Sequence, residues 1–214
     1  ESGAPTPAVA APVAPPPAPT EKHYETVTTE SQLDAWLDKI RAARLTAVDT
    51  ETTSLDPFKA RLVGISLCVE AGRAAYIPVG HQYPGAGDQL ALDHVLAKLK
   101  PWLEDAAAPK LGQHIKYDTH VFANHGVTLR GVVHDTLLES YVLESHMRHD
   151  MDDLAARHLS LTTITYDEVT GKGVSRIGFE QVAVERATEY AAEDADITLQ
   201  LHHALFSCVE AVAP

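Results

Sequence analysis

Asp49 and Glu51 are the residues whose type and spacing most directly indicate chemistry. They follow a short apolar and β-branched run, Leu45 to Val48, that is typical of a buried strand. Side chains two positions apart on a strand point to the same face, so two carboxylates leave this strand side by side, while Thr50 points the other way, into packing. Buried like charges need a compensating cation, and the pair therefore predicts a divalent metal ion.

Two further carboxylates, Asp118 and Asp194, lie in segments with helical patterns. Asp118 is near the start of its helix, and Asp194 follows Tyr190 by one turn, so that this pair shares a helical face. The surrounding face is rich in alanine (Ala187, Ala191, Ala195), which allows close approach to a sheet. Each carboxylate alone also fits an ordinary position at a strand end, at a helix dipole or on the surface. Together, four of them could bind two divalent ions, which prefer oxygen ligands.

The elements that must position these residues follow from apolar periodicity and turn residues. The pattern predicts strands over 45–48, 61–69, 73–78, 109–112 and 129–134, and helices over 32–43, 92–103, 115–125, 135–143, 151–159 and 180–212, the last broken once. Ser31 and Asp34 resemble a capping box for the first helix. The first three strands are expected to form an antiparallel meander. The fold class is therefore α/β, with a mixed five-stranded sheet flanked by helices.

The composition of the 214 residues is that of one globular domain with a sizeable core. Residues 1–22 are rich in Pro and Ala and are interpreted as an interdomain linker, which leaves 23–214 as the domain. The chain begins with Glu1 rather than Met, and we expect a piece of a longer protein. No apolar run approaches the ~18 residues of a membrane span, and no secretory signal opens the chain, so we expect no membrane partner and a cytoplasmic location.

The charge and the potential metal-binding side chains narrow the functional classes. A net charge of −13 opposes non-specific binding to nucleic acid, so a nucleic-acid substrate would require metal ions near the carboxylates. Cys68 and Cys208 are interpreted as reduced thiols of the core. The 12 histidines show no Cys/His ligand spacing. We interpret them as residues of the surface or the core edge and do not predict a zinc site from them.

Three segments carry a resemblance to a known family: Asp49–Asp56 (DTETTSLD), Gly112–Asp118 (GQHIKYD) and Tyr190–Asp196 (YAAEDAD). They resemble the three motifs of the DEDDy 3′–5′ exonucleases, in the form found in the proofreading domains of bacterial DNA polymerase I. The segments 129–141 and 148–152 extend the resemblance, which runs from about Tyr24 to the C-terminus. Glu189 stands where related exonucleases have a histidine, which is typical of the tyrosine subclass.

The resemblance implies an RNase H-like (DnaQ-like exonuclease) fold and a catalytic site. Asp49, Glu51 and Asp194 would bind one metal ion, Asp49 and Asp118 the second, and Tyr190 would hydrogen-bond the attacking water. The ions would be Mg²⁺, with Mn²⁺ or Zn²⁺ as alternatives. The implied reaction is hydrolysis of the 3′ end of single-stranded DNA to nucleoside 5′-monophosphates during proofreading.

The resemblance also implies substrate contacts and partners. Leu55, Gln113, Arg148 and Tyr166 match positions that contact the terminal nucleotides, although core packing explains Leu55 and Tyr166 equally well. His114 departs from the family pattern, which usually has Asn there. The implied partners are a single-stranded DNA 3′ end and a polymerase domain of the same polypeptide, and the implied state is a monomer in the bacterial cytoplasm.

Two other functions remain open from the sequence. One is a non-catalytic module that binds DNA ends and has retained the motifs. The other is an RNA exonuclease of the RNase D type, which shares the same carboxylates. Activity towards matched DNA and RNA substrates distinguishes the three hypotheses.

Overall fold

A computed structural model of the protein describes residues 21–212, and residues 1–20 of the predicted linker lie outside the described residues. The strands are β1 (His23–Thr26), β2 (Thr46–Thr52), β3 (Leu62–Glu70), β4 (Arg73–Pro78), β5 (Lys110–Gly112) and β6 (Val132–Asp135). The helices are α1 (Glu30–Ala42), α2 (Leu92–Leu103), α3 (Lys116–Asn124), α4 (Thr136–Leu143), α5 (Met151–Leu154), α6 (Tyr166–Thr170) and α7 (Val184–Val212).

The strands form one mixed sheet in the order β1-β4-β3-β2-β5-β6. β2, β3 and β4 pair antiparallel as the predicted meander, and β5 and β6 continue the sheet parallel to β2. The predicted α/β class is confirmed, but residues 21–212 contain six strands rather than the predicted five. The additional strand, β1, is only four residues long and pairs with β4 alone, at the sheet edge. Such a short polar segment has no alternation that would mark it as a strand.

Helices cover both faces of the sheet. On one face, α1, α2 and α3 pack through apolar side chains that include Leu33, Trp36, Leu99 and Phe122. On the other face, α7 crosses β2, β3 and β4 through small residues. The central strand β2 is therefore enclosed between two helical layers, and successive residues along it face different layers.

The element boundaries differ from the sequence expectations at two helix starts. The first helix begins after Thr29, whose hydroxyl accepts from the Gln32 amide at 3.4 Å while the Gln32 side chain accepts from the Thr29 amide at 3.1 Å. The predicted Ser31–Asp34 capping box is thus wrong, because the cap lies two residues earlier. In the last helical segment, the predicted break falls between the 3₁₀ turn Phe179–Gln181 and α7, which is then continuous for 29 residues. Within residues 21–212, no helix has both the length and the apolar character that crossing a bilayer requires.

Candidate active site

β2 places Asp49 and Glu51 on the face covered by α7. Ala47, two residues before Asp49, packs against alanines of α7, whereas Val48 belongs to the core under α1 to α3. The two-residue period of the strand then directs both carboxylates towards α7. The strand is longer than the sequence indicates and ends at Thr52, so both acids lie within the sheet itself.

α7 brings Tyr190 and Asp194 over the same region of β2. Ala187, Ala191 and Ala195 are fully buried against the sheet, as expected from their spacing. Because alanine side chains are small, the helix lies close to the strand. Ligand oxygens of Asp49, Glu51 and Asp194 consequently lie within 4.8 Å of one another. The predicted convergence of these three carboxylates is thus present in the structure.

Asp118 approaches from the opposite helical layer. It lies in the first turn of α3 and is 2 % exposed. Thr50, on the other face of β2 from Asp49 and Glu51, donates its hydroxyl to Asp118 Oδ1 at 2.5 Å. Thr50 is thus buried as predicted, but it is not only a packing residue. It fixes the fourth carboxylate beside the strand that carries the first two.

The four carboxylates strongly affect one another's ionisation. Burial raises the pKa of Asp49 to about 6, although a hydrogen bond from Ser66 at 3.4 Å opposes this shift. Burial and then the neighbouring charges of Asp49, Asp194 and Asp118 raise the pKa of Glu51 well above its ordinary value. Burial and the charge of Asp49 likewise raise the pKa of Asp118 and Asp194. In the absence of a cation, ionising this group is unfavourable.

The donor set fits divalent metal ions. Among the ion pairs within residues 21–212, none includes Asp49, Glu51, Asp118 or Asp194. Four buried or half-buried carboxylates without a cationic partner offer only oxygen ligands, the type that Mg²⁺ and Mn²⁺ prefer. A bound divalent ion would supply the positive charge that these four carboxylates do not receive from an ion pair within the described residues.

Tyr190 lies beside the acidic cluster. Its ring packs against Phe179 and Tyr166, with centroid separations of 5.9 and 6.3 Å. Burial, followed by the charge of Asp194, raises the pKa of Tyr190 far above its ordinary value. The phenol therefore keeps its proton near neutral pH and is able to donate a hydrogen bond.

A cleft of about 520 Å³ opens over this cluster and is lined by Asp49, Glu51, Tyr190 and Asp194. Leu55 and Tyr166, two of the four predicted substrate contacts, also line it. Leu55 is 86 % exposed, so core packing does not explain it. Tyr166 is half-buried and stacks on Phe179 with its ring at 17° to it.

The other two predicted substrate contacts lie outside the lining of this cleft. The side-chain amide of Gln113 donates to the His149 carbonyl at 2.8 Å. Arg148 pairs with Asp150 and Asp153 at 3.1 and 2.8 Å. Both side chains are engaged within the protein, and their contacts with substrate stay predictions.

Two residues of the cleft, Arg176 and Tyr117, have no predicted role from sequence. Arg176 is the one Lys or Arg among the described residues that line the cleft, and its guanidinium lies 5.7 Å from the Tyr166 ring centre. It comes from an irregular segment, and only its position next to several glycines distinguishes it in the sequence. Tyr117 lies within the second motif and donates to the Ser54 carbonyl at 2.5 Å, which fixes the loop after β2.

The backbone conformation at position 114 explains why His can stand where the family pattern usually has Asn. Its φ angle is 58°, in the left-handed region, and its side chain is exposed away from the residues that line the cleft. Asn and His tolerate this conformation better than most residues other than Gly. His114 therefore allows the same left-handed backbone conformation that Asn would allow at this position.

A mixed sheet whose central strand bears paired carboxylates, with further carboxylates from helices on both faces, defines the RNase H-like exonuclease class. The comparisons with known proteins support this class. Residues 24–210 match the family of A-type DNA polymerase domains described as "3'-5' exonuclease". DNA polymerase I of Pseudomonas aeruginosa is 50% identical over 195 residues, which cover 90% of this chain and 21% of that protein.

Two solved structures show the same fold. The structure described as the POL domain of Pol1 from M. smegmatis, in complex with DNA primer-template and dNTP, has a TM-score of 0.65 at 23% identity, over 87% of this chain and 28% of that one. RNase D of Trypanosoma brucei, in complex with RNA U12, has a TM-score of 0.69 at 21% identity, over 85% and 62% of the respective chains.

This chain belongs to the 3′–5′ exonuclease family of A-type DNA polymerases. More particularly, it is an exonuclease domain of the DNA polymerase I type, and the family depends on divalent metal ions. The chain spans about a fifth of the length of the curated relatives it matches first.

Proposed function

We propose that this domain removes nucleotides from the 3′ end of single-stranded DNA as the proofreading unit of a DNA polymerase I. The observation that carries the proposal is the meeting of Asp49, Glu51 and Asp194 within 4.8 Å, at the base of a cleft with exposed apolar side chains. The 50% identity to a bacterial DNA polymerase I supports DNA as the substrate. We propose residues 23–214 as the domain, a monomeric state and the bacterial cytoplasm as its compartment.

The site residues would act as follows. Asp49, Glu51 and Asp194 would bind one divalent ion, and Asp49 with Asp118 the second, with Mg²⁺ first and Mn²⁺ or Zn²⁺ as alternatives. Bound ions would activate a water molecule and stabilise charge on the leaving 3′ oxygen. The Tyr190 hydroxyl, which keeps its proton, would orient that water for attack on phosphorus.

The cleft residues would hold the terminal nucleotides. The exposed side chain of Leu55 and the ring of Tyr166 offer apolar surfaces on which unstacked bases pack. Arg176, which lines the same cleft, would contact a phosphate. A single-stranded end reaches such a site without the energy needed to open base pairs, which favours frayed or mismatched termini.

A nuclease assay with matched substrates tests the proposal. A 5′-labelled DNA strand and an RNA strand of the same sequence are incubated with the chain and Mg²⁺ or Mn²⁺. We expect a ladder that shortens from the 3′ end of DNA, loss of this ladder in Asp49→Ala, and a fall of about 10²-fold in Tyr190→Phe with metal binding unchanged. Glu189→Gln is the matched control, because Glu189 is an exposed carboxylate on the same helix.

The same assay decides between the alternatives. Preferential shortening of RNA would support the RNase D hypothesis, which the structural similarity to the T. brucei enzyme keeps open. Binding of the DNA end without shortening, at high protein concentration and with either metal, would support a non-catalytic module and contradict the proposal.

A further inference from the structure

His134, Glu139 and His202 form a second cluster of potential metal ligands, away from the cleft. They come from the end of β6, from α4 and from the second half of α7, and their ligand atoms lie within 4.8 Å of one another. The sequence gives no sign of this cluster, because its residues are separated by up to 68 positions and follow no ligand spacing. Only the packing of α7 against α4 brings them together.

The contacts in this cluster all meet at one carboxylate oxygen. Glu139 Oε1 lies 3.1 Å from Nδ1 of His134 and 2.8 Å from Nδ1 of His202. The two imidazole rings lie 4.1 Å apart between centroids. Two imidazole rings thus meet one carboxylate, and two histidines with one carboxylate are a ligand set found in metal sites.

The other oxygen of the same carboxylate provides an independent observation. Glu139 is 7 % exposed, yet its Oε2 is buried without any hydrogen-bond partner among the described residues. No Lys or Arg pairs with Glu139 within residues 21–212, where its ion-pair partners are the two histidines. Burying a carboxylate oxygen without a hydrogen-bond partner is unfavourable, and a bound cation would compensate for it.

The surroundings suit a transition-metal ion. The ring of Phe206 packs against both histidines, with centroid distances of 4.5 Å to His134 and 5.1 Å to His202. This ring shields one side of the cluster from water. The His134 side chain remains 22% exposed and leaves an entry path from solvent. Imidazole nitrogens with one carboxylate are ligands that select Zn²⁺ over Mg²⁺.

We propose that His134, Glu139 and His202 form a Zn²⁺ site that is separate from the carboxylate cluster. One ion, about 2.0–2.2 Å from each ligand, would replace the two contacts to Oε1 after small side-chain rotations, and water would occupy a fourth position. His202 follows Asp194 by eight residues on α7, which corresponds to about 12 Å along the helix. The ion would fix the second half of the helix that carries Tyr190 and Asp194 to α4 and β6.

Titration with Co²⁺, followed by visible absorption, tests the site on the metal-stripped chain in excess Mg²⁺. Excess Mg²⁺ would compete with Co²⁺ for the all-oxygen cluster of the proposed function. Co²⁺ with nitrogen ligands in a four-coordinate site absorbs more strongly than Co²⁺ with six oxygen ligands. We expect saturation at one equivalent and displacement by one equivalent of Zn²⁺ but not by Mg²⁺. In His202→Ala and His134→Ala, the Kd for Co²⁺ should rise by about 100-fold or more.

His203→Ala is the matched control, because His203 is the next residue on α7 and lies outside the cluster. Circular dichroism verifies that each variant is folded. If His202→Ala does not fold, His134→Ala, which changes a partly exposed side chain, gives the same test. Absence of the strong absorption in the wild type, or an equal loss of binding in His203→Ala, would overturn the proposal.

Discussion

At the scale of single residues, the site combines groups that destabilise one another. Ligand oxygens of Asp49, Glu51 and Asp194 lie within 4.8 Å of one another, and Thr50 holds Asp118 on the other side of β2. Burial and neighbouring charges raise the pKa values in this group of four carboxylates. Binding sites often hold such unfavourable arrangements because a ligand compensates for them. The carboxylates should therefore reduce the stability of the metal-free chain while making metal binding strong.

The variant Asp194→Asn tests this relation between stability and function. It removes one charge with little change in shape. We therefore expect the free energy of unfolding of the metal-free chain to rise by ~1–2 kcal/mol and its unfolding temperature to rise with it. We expect Mn²⁺ to stabilise the wild type, and this stabilisation should be largely lost in the variant, where hydrolysis should fall by ~10³-fold or more. Thermal unfolding with and without Mn²⁺ measures both the stability of the metal-free chain and its stabilisation by the metal. A metal-free variant that is less stable than the wild type would contradict the expectation.

The backbone at His114 gives a second residue-scale prediction. Because its φ angle is 58°, a β-branched residue there should be strained, and His114→Val should lower the free energy of unfolding by about 1–2 kcal/mol. His114→Asn is the matched control and should stay within ~0.5 kcal/mol of the wild type. Urea unfolding measures both. Equal stability of the Val and Asn variants would show that the conformation is not maintained in solution.

At the scale of elements, Asp196 anchors α7 to the sheet edge. Its buried carboxylate accepts hydrogen bonds from Tyr24 Oη at 2.8 Å, from the Gly72 amide at 2.8 Å and from Gln200 Nε2 at 2.9 Å. These donors come from β1, from the turn between β3 and β4, and from α7 itself. The acidic third motif thus carries a structural anchor two residues after Asp194.

Replacement of Asp196 should weaken the attachment of β1 to α7. Asp196→Asn puts an amide opposite donors that need an acceptor, and we expect a loss of ~1–3 kcal/mol in the free energy of unfolding. Tyr24→Phe removes only one donor and should cost about 1 kcal/mol. Hydrogen exchange of the β1 amides, with urea unfolding, measures the effect. Unchanged exchange in Asp196→Asn would contradict this role.

Lys110 links β5 to the end of α2. Its buried ammonium donates to the carbonyls of Asp105 and Ala108 at 3.1 and 2.8 Å and lies 4.4 Å from the Trp102 ring centre. Burial lowers the pKa of Lys110 from 10.5 to about 8, against the opposing charge of Asp105. Between these two pH values the unfolded chain binds more protons than the folded chain, so stability rises with pH there.

This linkage predicts a pH-dependent difference between the wild type and Lys110→Met. Below about pH 8 the difference in unfolding free energy should be constant, since Lys110 is charged in both states. From pH 8 to about 10.5 the wild type should gain up to ~3 kcal/mol relative to the variant. Urea unfolding across this range measures it. A difference that does not change with pH would show that the ammonium is well solvated.

The sequence alone is sufficient to predict structural features that depend on local periodicity. The two-residue period of β2 predicts that Asp49 and Glu51 are neighbours, and the alanine spacing of α7 predicts its close contact with the sheet. Contacts between distant segments leave no such pattern. The Thr50–Asp118 hydrogen bond, the pairing of β1 with β4 and the His134–Glu139–His202 cluster all depend on packing between elements.

At the scale of the whole molecule, the charge distribution restricts how substrate binds. The chain has a net charge of −13, and Arg176 is the one cationic residue among the described residues that line the cleft. A polyanion therefore has little general attraction to this surface. In the proposed function, bound metal ions would supply most of the local positive charge, and we expect substrate binding to depend on them.

Anomalous X-ray diffraction from crystals soaked in Mn²⁺ tests most directly whether the four carboxylates form a metal centre. We expect a peak at about 2.0–2.3 Å from carboxylate oxygens of Asp49, Glu51 and Asp194, which disappears in crystals of Asp194→Asn. A second peak between Asp49 and Asp118 is expected when a nucleoside 5′-monophosphate is bound. Absence of Mn²⁺ at these carboxylates, in crystals that bind it elsewhere, would contradict the proposed metal centre and the mechanism that depends on it.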